Sequence, residues 1–150
     1  MKKFSLLALL IVIALIGLSG CEEDTSGAMA GTWTLDSTQT TAGAIVLGDG
    51  NFTLNYLYSA SDMGITAEMY TGSGTIGGED YLILAGYSPT LQMATISLYQ
   101  TGEDPNNDSI DLDDMSYSGG DTLNGDYAGW GTIYTSGAKN IGSGIFTASR

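Results

Sequence analysis

Polar and apolar residues alternate along much of this chain with the period of a β-strand. Phe52, Leu54, Tyr56 and Tyr58 fall on one face of a segment whose other face is Thr53, Asn55 and Ser59, with Leu57 breaking the pattern. Ile65, Ala67 and Met69 oppose Thr66, Glu68 and Tyr70 in the same way. Further strands are expected at Gly31 to Leu35, around Gly43 to Leu47, at Tyr81 to Tyr87, Leu91 to Gln100, Met115 to Ser118, Leu123 to Tyr134 and Ile141 to Ser149. They are separated by glycine, Asx and serine turns such as Gly48-Asp49-Gly50-Asn51 and Gly77-Gly78-Glu79-Asp80. Tyr81 to Ala85 is apolar on both faces. No window beyond the first twenty residues has a helical period with caps. Strands recurring at short intervals predict an antiparallel all-β domain.

Glycines also lie inside these strands. Tyr70 to Ile76 and Tyr127 to Ile133 share the pattern Y-x-G-x-G-T-I, and Gly142 to Phe146 is a looser copy. A glycine within a strand marks a bend, a bulge or a close backbone approach. Repeated, it suits a sheet that curls and closes, which favours an up-and-down β-barrel over the alternative, a Greek-key β-sandwich.

The first twenty residues follow a different pattern. Lys2 and Lys3 precede an unbroken apolar run, Leu6 to Ile16, and Leu18-Ser19-Gly20-Cys21 closes the segment. A run this short, with these flanks, reads as a signal peptide. The LSGC stretch resembles the lipobox of bacterial lipoproteins. The resemblance implies diacylglycerol on the Cys21 sulfur, cleavage before Cys21, and a fatty acyl chain such as palmitate on the new amino terminus. Glu22, where aspartate would retain such a protein at the inner membrane, implies the outer membrane. Several acyl chains, each contributing about 0.8 kcal/mol per buried CH₂, make a stable anchor. Residues 1–20 are thus assigned to the signal peptide, 21–30 to an acidic tether and 31–150 to the barrel.

Cleavage leaves 130 residues, enough for one domain with a core, and takes the formal charge from −13 to −15. A chain this acidic, with only Lys139 and Arg150 basic beyond the signal peptide, is not expected to bind nucleic acid. Cys21, the sole cysteine, is used by lipid, so no intrachain disulfide is available.

Gly31-Thr32-Trp33 resembles the G-x-W of the lipocalins and the wider calycin group. That resemblance implies a basic residue of the last strand packed over the tryptophan to close the barrel's base. Arg150, the only arginine, ends the last expected strand. A lipocalin-like fold implies in turn a small hydrophobic or amphipathic ligand. In the register above, Tyr56, Tyr58, Met69, Met93 and Tyr99 share faces with core residues and are the candidate lining of such a pocket.

With no histidine and no free thiol, Ser-His-Asp, Cys-His and histidine-ligated metal sites are excluded. No acid spacing marks a glycosidase pair, so the chain is expected not to be an enzyme. The segment Glu103 to Asp114 reads as an acidic loop. Asp104, Asn106 and Asp108 have the D-x-N-x-D spacing of calcium loops, and Asp111 or Asp113 completes a shell, although Ser109 stands where an EF-hand has glycine. Calcium is the one cofactor weighed, against a solvated acidic tip. The expected protein is a monomeric, lipid-anchored outer-membrane binding module. The alternative is a surface structural or adhesion lipoprotein working through its loops.

Overall fold

The computed structural model describes residues 27–41, 47–101, 108–131 and 142–150. Eight strands run in sequence order: β1 (Gly31–Thr41), β2 (Gly50–Asp62), β3 (Ile65–Ile76), β4 (Glu79–Ser88), β5 (Met93–Gln100), β6 (Asp108–Asp114), β7 (Thr122–Gly131) and β8 (Ser143–Ser149). Each pairs antiparallel with the next, and β8 pairs with β1, so the sheet is a closed up-and-down barrel of the lipocalin-like kind rather than a sandwich. Closure removes the exposed edges that a half-apolar sheet would otherwise offer to other chains.

Alternation sends every second side chain inward. Trp33 and Leu35, Phe52 and Leu54, Ile83 and Ala85, Ile96 and Leu98, Ile110 and Leu112, and Phe146 and Ala148 meet in one buried cluster. Trp33 stacks on Phe52 with ring centroids 6.4 Å apart and planes 9° from parallel. A barrel of eight strands has room for little more than its own side chains, and these fill it around the Trp33 level.

The structure corrects several sequence expectations. β3 is one continuous strand through its glycines, and β1 extends from Gly31 to Thr41. Of the short strand expected at Gly43 to Leu47, residues 42–46 lie outside the described ones, and Leu47 is not in a strand. Asp108 and Asp111 belong to β6, not to a loop, while Met115 to Ser118 forms part of the turn that follows. Ile110 and Leu112 explain this: they alternate with Ser109, Asp111 and Asp113, so Asp111 and Asp113 face out while the aliphatics fill the barrel.

Leu57 is the extra residue of a β-bulge. Tyr56 pairs with Tyr70, but Tyr58 pairs with Met69, so the two tyrosines point to opposite sides of the wall.

Candidate functional site

Because the strands alternate in direction, the barrel has two distinct ends. One holds the start of β1, the end of β8, and the β2–β3, β4–β5 and β6–β7 turns. The segment Gly27–Ala30 plugs it. Met29 is fully buried among core residues, and its carbonyl accepts a 2.9 Å hydrogen bond from Trp33 Nε1. The Met29 backbone N–H donates to Tyr70 Oη at 3.1 Å, and Tyr70 in turn donates to Glu68 Oε2. The Ala28 N–H donates to the same Glu68 oxygen at 3.0 Å. Tyr117 Oη contacts two carbonyls, Gly120 O at 2.8 Å and Ala28 O at 3.2 Å. From Gly27 on, therefore, the expected tether is part of the barrel.

Arg150 closes this end from outside. Its guanidinium carbon lies 4.9 Å from the Trp33 ring centroid, NH1 donates to Ala30 O at 2.7 Å, and Nε pairs with Asp121 at 2.8 Å. Burial pushes the Tyr117 hydroxyl up to about 12, partly offset by the nearby Arg150 charge. Burial, then donation to Glu68, raises Tyr70 further still.

The opposite end is different. Gln39 on β1 and Tyr127 on β7 both pair with Gly144 of β8, one from each side. The Tyr127 ring lies where a Gly144 side chain would have to go. Tyr127 is 2% exposed, yet among the described residues its hydroxyl has no hydrogen-bond partner, and neither does the buried Gln39 Nε2. An unpaired buried donor costs roughly 1–3 kcal/mol. Burial also raises the Tyr127 pKa, so the group is a neutral O–H at physiological pH. Each of these two buried groups would be stabilised by a polar partner.

No protein-family model, curated protein or solved structure matches the chain.

The structure separates the residues expected to line a pocket. Tyr56 alone packs on the core, edge-on to Tyr70 with centroids 5.8 Å apart. Tyr58, Met69, Met93 and Tyr99 lie on the outer wall, because their strand neighbours Tyr70, Ala94 and Leu98 are the inward residues and the bulge at Leu57 turns Tyr58 outward. Met69 is nonetheless covered, beside Ala67, in a small cluster of its own. Asp111 also faces out, accepting a 2.6 Å hydrogen bond from Ser97. Burial raises its pKa, Ser97 opposes that, and Asp113 adds to it.

Asp104 and Asn106, like Cys21, lie outside the described residues, and Asp108 opens β6. Among the described residues no three acidic or cysteine side chains converge on a metal position. Gln39 and Tyr127 carried no signal of their own in the sequence. Tyr127 occupies the same place as Tyr70 in the Y-x-G-x-G-T-I repeat, and both are buried, but among the described residues only Tyr70 has hydrogen-bond partners.

Proposed function

We propose that the protein is a non-catalytic binding module, lipid-anchored through Cys21 at the outer membrane, whose end opposite the plug receives the polar head of a small amphipathic ligand. The observation that carries this reading is the pair Tyr127 Oη and Gln39 Nε2, buried without a partner among the described residues and flanking Gly144. The ligand meets the barrel at its mouth, since the interior around Trp33 is filled. The LSGC motif supports the anchor, and the lack of histidine supports a non-catalytic role.

Native mass spectrometry of the protein taken from its own envelope tests this, with and without chelator. The expected result is a bound mass that survives chelation and is lost in Tyr127→Phe. That variant should fold at least as well as the parent, because it removes an unsatisfied hydroxyl. A bound mass unchanged in Tyr127→Phe would refute the mouth. A mass lost only to chelator would assign calcium to the Asp104, Asn106 and Asp108 segment.

A second reading, a surface adhesion lipoprotein, is favoured by one feature of the outer wall. Leu82 and Leu84 are 60% and 40% exposed, and Leu82 pairs with Tyr99 beside the acids of β6. A bare chain in the mass spectrometer would favour it.

A further inference from the structure

All three turns at the plugged end carry an exposed apolar side chain. Met63, at the tip of the β2–β3 turn, is 95% exposed; Met115, after β6, is 68% exposed; Leu91, in the β4–β5 turn, is 42% exposed. The described turn residues of the other end, 47–49, 77–78, 101 and 142, offer glycines, Asp49, Thr101 and a buried Leu47. A single exposed methionine on a soluble surface needs no explanation. An exposed apolar side chain on every turn of one end, and none on the described turn residues of the other, sets the plugged end apart among the described residues.

At the plugged end Glu68 accepts from Ala28 N and Tyr70, and Asp114 from the backbone N–H groups of Ser116 and Asn124. Asp121 is paired with Arg150. Asp62, beside Met63, makes none of these bonds among the described residues. This end also holds Arg150, the chain's one arginine, whose pairing with Asp121 offsets one negative charge.

The chain also enters at this end. Cys21 precedes Gly27 by six residues, which span at most about 20 Å when fully extended. Resting on the anchoring reading above, we propose that the plugged end docks on the bilayer holding Cys21, with Met63, Leu91 and Met115 entering the headgroup region of zwitterionic lipid. Three side chains would bind weakly on their own. A short tether makes the contact intramolecular, at an effective concentration in the millimolar range. Docking this way holds the Gln39–Tyr127 end away from the membrane.

The test uses the full-length, acylated protein in phosphatidylcholine vesicles. In the anchored protein the sulfur of its only native cysteine carries diacylglycerol, so Met63→Cys and, separately, Glu79→Cys each take one nitroxide label. Electron paramagnetic resonance then compares relaxation by oxygen with relaxation by a water-soluble nickel complex. Docking predicts several-fold weaker nickel access at 63 than at 79, with oxygen access reversed. Adding Leu91→Asp and Met115→Asp to Met63→Cys should restore nickel access. Equal access at both positions, with intact mass showing Cys21 acylated, overturns the docking alone. An intact mass without lipid overturns the anchoring reading and the docking with it.

Discussion

Arg150 makes three contacts at once, and their sizes differ. The Asp121 side chain is 74% exposed, so that ion pair contributes only about 0–1 kcal/mol. The stack on Trp33 contributes about 0.5–2 kcal/mol, and the charged hydrogen bond to Ala30 O about as much again. Asp121→Ala should therefore lower stability by about 1 kcal/mol or less, and Arg150→Ala by about 2–3 kcal/mol. Urea unfolding of the two variants distinguishes these values, and equal losses would mean that the ion pair, not the stack, carries the contact. Arg150→Lys should recover less than half of the loss, because an ammonium has neither the flat face nor the fork that serves Trp33, Ala30 and Asp121 together. The same scale separates the two repeat tyrosines. Tyr70 accepts from Met29 and donates to Glu68, whereas Tyr127 has the same burial with an idle hydroxyl.

At the scale of elements, β8 is the seam that closes the barrel, and Gly144 is its tightest point. A methyl there would overlap both the Thr38 carbonyl and the Tyr127 ring. Gly144→Ala should cost about 1–3 kcal/mol, as overpacked cores do, and lower the thermal midpoint by several degrees. A midpoint within one degree of the parent would show that the seam yields. Glycine inside strands was one of the features that made the barrel legible, together with the alternation of Phe52 to Tyr56 and the G-x-W and arginine at the chain's two ends. β6 was obscured by its own composition: a dense run of acids reads as loop, although Ile110 and Leu112 keep a strand's period within it. Tyr58 was misassigned because a bulge at Leu57 shifts the faces, and no local pattern distinguishes a bulge from an ordinary exception. The Gln39, Gly144 and Tyr127 arrangement was illegible for another reason. It joins residues about a hundred positions apart across three strands, and only the closure of the barrel brings them together.

Charge and burial together decide how the whole molecule responds to pH. Tyr70, Tyr87, Tyr117 and Tyr127 all have hydroxyl pKa values raised by burial, Tyr117 to about 12. A tyrosine whose folded pKa exceeds its unfolded one keeps its proton when folded after the unfolded chain has lost it. Its contribution to stability is therefore complete below about pH 10 and declines as pH rises through the folded value. The protein should hold a nearly constant urea midpoint from pH 7 to about pH 10 and lose stability steeply between about pH 10 and pH 12. General repulsion in so acidic a chain would act in the same direction, and salt separates the two. At 1 M salt the screening length falls to about 3 Å, which suppresses repulsion between surface charges but scarcely affects the cost of ionising a buried hydroxyl. The tyrosinate absorbance of the buried hydroxyls, Tyr70 and Tyr117 above all, should appear only as the barrel opens. If the alkaline loss vanishes in 1 M salt, surface charge sets the limit. If it persists, the limit is set by the buried tyrosines, and above all by Tyr70 and Tyr117, whose protonated hydroxyls hold the N-terminal plug against Glu68 and the Ala28 carbonyl.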